Sequence, residues 1–122
     1  MYDRVIYVAG PYRAEGANRI EENIYMARVF ARLLWCKGWA VICPHMNTAH
    51  MDGEEPDDLL HGDILAGDKE MLRRCDAIFL LPEWKESEGA REELAVAKDA
   101  RLKIYDNVDG IPSPISCPKK RK

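Results

Sequence analysis

The sequence predicts an α/β domain, a three-layer fold with a parallel sheet of four to five strands and helices on both faces. Three observations predict it. Short β-rich apolar runs alternate with segments of helical period along the whole chain. That alternation implies βαβ units, whose crossovers leave the strands parallel. The 122 residues suit one compact domain that needs neither disulfides nor metal to bury a core. A content of 47% hydrophobic and 32% charged residues is that of an ordinary globular protein.

Val5-Ile6-Tyr7-Val8-Ala9, ended by Gly10-Pro11, reads as a buried first strand. A helix follows over Asn18 to Lys37: Asn18 can cap it and Glu21 lies three residues on. Its buried stripe is Ile20, Ile24, Ala27, Ala31 and Leu34, and Gly38 stops it. Ala40-Val41-Ile42-Cys43 is the second strand, ended by Pro44. Residues 44–58 read as a long polar loop with His45, Asn47, His50 and acids from Asp52 to Asp58. Loops of that length in a compact domain are often functional. A second helix over Leu59 to Arg74 leads to a strand at 77–81. A third helix runs from about Glu88 to Ala100, and Lys103-Ile104-Tyr105 is a last short strand. Residues 1–106 are thus expected to form the domain. Residues 107–122, with Pro112, Pro114, Pro118 and a basic end, are expected to form an irregular tail.

The net charge is −3, but Lys119-Lys120-Arg121-Lys122 carries +4, which leaves −7 on residues 1–118. An acidic body argues against a nucleic-acid surface, which needs clustered cations. No apolar run approaches the ~20 residues of a membrane helix. Met1-Tyr2-Asp3-Arg4 runs straight into the first strand without the features of a signal peptide, so the expected location is the cytoplasm. Cys36, Cys43, Cys75 and Cys117 form no C-x-x-C pair and read as reduced packing thiols.

Two acids stand out by position. In the second helix Ile64, Asp68, Met71 and Cys75 share one face, so Asp68 interrupts an apolar stripe. In the third helix Ala90, Glu93, Ala97 and Ala100 share a face, whereas Glu92 falls with Glu88, Val96 and Asp99 on a wetter side. A core-facing carboxylate costs several kcal/mol unless it is paired or borders a wet cleft. Two of them on helices flanking one strand point to a shared pocket; an ion pair with a nearby Arg is the other solution.

Gly10-Pro11-Tyr12-Arg13 follows the first strand, where open α/β sheets place ligand-contacting loops. Gly10 permits close backbone approach, Tyr12 can stack or hydrogen-bond, and Arg13 can hold a phosphate or carboxylate. The same residues also read as a plain turn. One glycine before the helix is too few for a dinucleotide fingerprint or a P-loop. Ser87 and Gly89 open the third helix, whose free N–H groups favour an anion, although Ser87 serves equally well as an N-cap. Cys43, His45 and His50 lack a fourth ligand at a usual offset, so His45 reads as lining the pocket rather than holding metal.

Gly10-Pro11-Tyr12-Arg13, Asp68 eight residues before Asp76, and Ser87-x-Gly89-x-x-x-Glu93 occur in this order in the nucleoside 2-deoxyribosyltransferase superfamily, which this chain resembles over residues 4–105. The closest look is to short bacterial and phage members with a Cys-Pro-His loop, here Cys43-Pro44-His45, related to deoxynucleoside 5′-monophosphate N-glycosidases. The resemblance implies a flavodoxin-like, Rossmann-like fold and chemistry at a nucleoside N-glycosidic bond. It implies Glu93 as nucleophile, and Asp68 as the acid that orients it or protonates the departing base. It places Tyr12 and Arg13 at the first-loop substrate site and Ser87 at the sugar 5′ end. Serine at that position, where transferases carry an acid, together with Arg13 leans toward a 5′-phosphorylated substrate; Glu88 beside it departs from that pattern. No cofactor is implied. The expected partners are a nucleoside or nucleotide and further copies of the chain, as a homodimer or larger homo-oligomer, with neither nucleic acid nor membrane. The alternative, kept open by the acidic loop and the Ser-Glu-Gly turn, is a non-catalytic nucleotide- or metabolite-binding module.

Overall fold

The computed structural model describes residues 4–11, 17–47 and 61–113. Four strands form one all-parallel sheet: β1 (Val5–Ala9), β2 (Ala40–Ile42), β3 (Ala77–Leu80) and β4 (Lys103–Tyr105), in the order β2-β1-β3-β4. No fifth strand is present among the described residues. The helices are α1 (Ala17–Cys36), the single turn α2 (Pro44–Asn47), α3 (His61–Arg73) and α4 (Glu88–Asp99). This is a flavodoxin-like arrangement.

The topology follows from handedness. From β1 the chain steps outward to β2, then crosses back to β3 and on to β4. Right-handed crossovers in opposite directions put their helices on opposite faces. Accordingly α1 covers Ile6, Val8, Ala77, Phe79 and Leu81 on one face, with Phe30 stacked on Phe79 at 5.5 Å between ring centroids. On the other face Tyr7, Ala9, Ile78 and Leu80 pack with Leu72 and Cys75 at the α3 end and Ala97 of α4. Strand order reverses at β1, and the carboxyl ends of the strands beside such a reversal are the usual ligand position in open α/β sheets.

Local chemistry explains the element ends. At the end of α1, Gly38 adopts φ 103°, and its N–H bonds Trp35 O at 3.0 Å while Trp39 N–H reaches Leu34 O at 3.2 Å. Only glycine takes that backbone conformation without steric cost. Asp76, from the Asp68–Asp76 motif, lies just before β3, at the opposite end of the sheet from those carboxyl ends. Its carboxylate accepts Val5 N–H at 2.8 Å, and its backbone carbonyl accepts from Lys103. Its role there is to hold the starts of β1, β3 and β4 together.

Three sequence expectations change in detail. Residues 44–47 are not loop but the turn α2, because Pro44 suits a first helical position and Met46 N–H closes on Cys43 O at 2.9 Å. Residues 48–60 lie outside the described set. Ala100 is exposed just past the end of α4 and does not extend the buried Ala90–Glu93–Ala97 stripe. The segment after 106 begins as part of the packed body. Val108–Gly110 forms a 3₁₀ turn capped by the Asn107 side chain, Ile111 is buried, and Trp39 Nε1 and Lys37 Nζ donate to Pro112 O and Ile111 O. Cys36, Cys43 and Cys75 are free thiols. Among the described residues no helix is long and apolar enough to cross a membrane.

Gly10, just past β1, meets β3 more closely than any side chain permits. A Cβ there would stand 2.6 Å from Leu81 Cβ and from Leu81 Cδ1. Gly10→Ala is therefore expected to destabilise the fold by ~1–3 kcal/mol, the usual range for overpacking. Leu81→Ala in the same chain should recover part of that loss, read by urea unfolding. A neutral Gly10→Ala would mean that the two strand ends are not in contact.

Candidate active site

The centre of the site is Tyr7, Glu93 and Asp68. Tyr7 sits mid-strand in β1 on the face turned toward α3 and α4, and is 0% exposed. A buried tyrosine hydroxyl needs a partner, and this one donates to Glu93 Oε2 at 2.5 Å. Glu93 faces inward because it shares the narrow face of α4 with Ala90 and Ala97, whose small side chains let the helix lie close to the sheet. Asp68 comes from α3. Both carboxyl groups are 6% exposed.

Burial dominates their electrostatics. Loss of water pushes the Glu93 carboxyl from 4.5 up to about 7. The Tyr7 hydrogen bond and the Lys69 cation oppose the rise, while Asp68 and Glu92 add to it. Burial pushes the Asp68 carboxyl from 3.8 up to about 6. The Tyr7 hydroxyl lies far above its ordinary range, first through burial and then through the Glu93 and Asp68 charges. Tyr7 therefore stays a proton donor to the carboxylate at any physiological pH. The three groups form one electrostatic unit near neutrality.

A second group lies at the strand ends. His45, on α2, is buried, and its Nε2 donates to Pro11 O at 2.6 Å. That bond fixes the Nε2–H tautomer and ties the segment after β1 to the segment after β2. Burial lowers its pKa, so the ring is neutral. His45 thus holds Pro11 in place. Ser87 is the N-cap of α4, its Oγ accepting Ala90 N–H at 3.1 Å. Gly89, two residues on, is not required by packing, since a Cβ there would meet nothing nearer than 4.0 Å. Tyr12 and Arg13 lie outside the described residues.

Of the residues predicted from sequence, Asp68 and Glu93 converge, and Gly10, Pro11 and His45 gather at the strand ends. Ser87 and Gly89 sit one to two turns before Glu93 on the same helix. Among the described residues no arginine pairs with either buried acid, and Tyr7 is the hydrogen-bond partner of Glu93. Tyr7 was missed. Its signal was the strand alternation: with Ile6 and Val8 on one face, the only hydroxyl in a buried strand must face whatever acid covers the other. No group of three or more His, Cys, Asp or Glu suited to a metal ion occurs among the described residues.

Comparison with known proteins places this geometry. The family profile described as "Domain of unknown function (DUF4406)" matches residues 4–106. Comparison by sequence with curated proteins finds no match. Among solved structures, the chain is similar to a 2-deoxyribosyltransferase from Bacillus psychrosaccharolyticus, with TM-score 0.58 and 19% identity. The likeness covers 82% of this chain and 69% of that one. It is also similar to a 2-deoxyribosyltransferase from Leishmania mexicana, with TM-score 0.56 and 23% identity over 84% of this chain and 62% of that one. This chain thus spans about two thirds of the length of each. At such identities the likeness establishes a common fold.

The raised acids have a measurable signature. An acid whose folded pKa exceeds its unfolded value binds more protons folded than unfolded between the two. Its contribution to stability is whole below the unfolded value and is lost as pH rises through the folded one. Stability should therefore fall from about pH 4.5 to about 7 through Glu93, and from about 3.8 to about 6 through Asp68. Glu93→Gln keeps an acceptor for Tyr7 and removes the titration. It should exceed the wild type by up to ~3 kcal/mol at pH 8, with the gap closing below pH 4.5, in urea unfolding at each pH. A gap that does not vary with pH would contradict the burial of an ionisable Glu93.

Proposed function

The chain belongs to the DUF4406 family, and on that premise we propose that it cleaves or transfers at the N-glycosidic bond of a nucleoside or nucleoside 5′-monophosphate. The observation that carries this reading is the Tyr7–Glu93 hydrogen bond beside Asp68, buried between α3, α4 and a flavodoxin-like sheet. A likeness of fold to two 2-deoxyribosyltransferases supports it.

The arrangement suits a retaining mechanism. A Glu93 carboxylate oxygen attacks the anomeric carbon. The electrons of the glycosidic C–N bond pass to the departing base, which takes a proton from Asp68. The result is a glycosyl ester on Glu93. Water, deprotonated by the Asp68 carboxylate, then attacks the anomeric carbon, releasing the sugar and regenerating the Glu93 carboxylate. If a nitrogen of a second base attacks instead, the outcome is transfer. Tyr7 holds one Glu93 oxygen by its hydrogen bond and so directs the other toward substrate. With the Asp68 carboxyl near 6 and the Glu93 carboxyl near 7, the form with Glu93 ionised and Asp68 protonated is the minor of the two one-proton forms, and it is the form that this mechanism uses.

Substrate contacts are assigned on sequence position and on the strand-end geometry. Gly10 and Pro11 follow the carboxyl end of β1, and His45 anchors the Pro11 carbonyl. Tyr12 and Arg13 continue that loop and supply the contacts that the resemblance gives them. Ser87 and Gly89, at the start of α4, are aimed at the sugar 5′ end. With Ser87 already capping the helix, its hydroxyl hydrogen remains available to donate to a 5′ oxygen.

Base release from a panel of nucleosides and 5′-monophosphates tests the reading. At least one substrate should turn over, and Glu93→Ala should lower the rate by about 10³-fold or more. No substrate showing Glu93-dependent release would remove the enzymatic reading. The pH profile should be bell-shaped with limbs near 6 and 7. Tyr7→Phe removes the one contact that lowers the Glu93 pKa by hydrogen bonding, so its limb should move to higher pH while kcat falls ~10- to 100-fold. An unmoved limb would mean that Tyr7 does not control Glu93.

A further inference from the structure

Each buried acid has a charged neighbour in sequence that points outward: Lys69 follows Asp68, and Glu92 precedes Glu93. These two neighbours meet. Lys69 Nζ donates to Glu92 Oε1 at 2.7 Å, bridging α3 to α4 at the level of the acids. The side chains are 25% and 41% exposed, so the pair lies at the rim, half in water. A surface pair of this kind adds little to stability, and its position is what matters. The pair joins the two helices one residue away from both Asp68 and Glu93, so a slip of either helix would break the bond as it separated the acids.

We propose that the Lys69–Glu92 ion pair is a balancing device for Glu93: held across α3 and α4 one residue from each buried acid, it presents Glu93 with a cation and an anion that offset each other. The groups facing Glu93 are then Tyr7 from β1, Asp68 and Lys69 from α3, and Glu92 from its own helix. Lys69 favours the Glu93 carboxylate and Glu92 disfavours it. Removing either member takes away one of two opposed influences on Glu93, so the two removals act in opposite directions. A purely structural tie would give effects of the same sign.

The consequence for catalysis rests on Glu93 acting as the nucleophile, but the test does not. The Glu93 carboxyl carbon is titrated by NMR in the ¹³C-glutamate-labelled full chain, with Glu93→Gln assigning the signal. Lys69→Met should raise the midpoint by ~0.5 pH unit and Glu92→Gln should lower it by a similar amount. The double variant should return close to wild type, and Lys69→Arg should leave the midpoint in place. Single variants that shift the midpoint in the same direction, or not at all, would overturn the proposal. Should Lys69→Met fail to fold, Glu92→Gln decides: a downward shift supports the device, and no shift or an upward one refutes it. If opposite shifts occur while no substrate releases base, the ion-pair device stands and the enzymatic reading falls. If base release depends on Glu93 but the midpoints do not move, the reverse holds.

Discussion

The constraint on which the site depends is the burial of a carboxyl group against a sheet with a tyrosine hydroxyl as its direct partner. Glu93 faces the middle of the fold rather than solvent, and burial drives its pKa up more than any other influence. A bare carboxylate in such a place would protonate or force the helix outward. The Tyr7 hydroxyl makes the anion tolerable, and Tyr7 can serve because its own burial and the neighbouring acids keep its proton firmly attached. Asp68 then adds a second negative group to the same enclosure, so the acids compete for protons in the neutral range.

Strand order and side-chain size together create that enclosure. The reversal at β1 sends the crossover helices to opposite faces, and α3 and α4 pack on the face that carries Tyr7. The small face of α4, Ala90 and Ala97 on either side of Glu93, lets the helix settle close enough for a side chain from β1 to reach it. Gly10 continues the same logic past the strand, where Leu81 leaves no room for a Cβ. His45 fixes the Pro11 carbonyl, two residues past the end of β1. None of these contacts is reactive; each removes freedom from a neighbour of the proposed reacting group.

Much of this was legible in the sequence because it rests on periodicity. The four strands, the three long helices and the inward placement of Asp68 and Glu93 follow from apolar spacing, and Glu92 was separated from Glu93 by helical phase alone. Tyr7 was not read, because an aromatic residue in a strand ordinarily signals packing, and its partner lies 86 residues away. The Lys69–Glu92 pair was hidden for a related reason: it depends on how two helices are rotated against each other, which no single helix pattern encodes. His45 was read as lining a pocket, whereas its ring is engaged with the backbone of Pro11. The short turn at Pro44 and the packing of Ile111 depend on tertiary contacts with Cys43, Trp39 and Lys37 that leave no local trace.

The same burial that makes the site costly to the fold bears directly on the glycosyl chemistry proposed for it. A glutamate in water is ionised at neutral pH but well solvated, and therefore a poor nucleophile. A glutamate in a fully apolar core is neutral and inert. Glu93 lies between these limits: one oxygen is held by Tyr7, and Asp68 nearby carries a proton over part of the same pH range. The proposed attack at a sugar carbon and protonation of a departing base need Glu93 ionised and Asp68 protonated at once, a minor one-proton form that any rise of the Asp68 pKa or fall of the Glu93 pKa would favour. The rim charges are then the means of adjusting the balance without touching the reacting atoms, because Lys69 and Glu92 act on Glu93 through space from positions that remain in water. A site built this way can shift its working pH by surface substitutions while its buried core stays fixed.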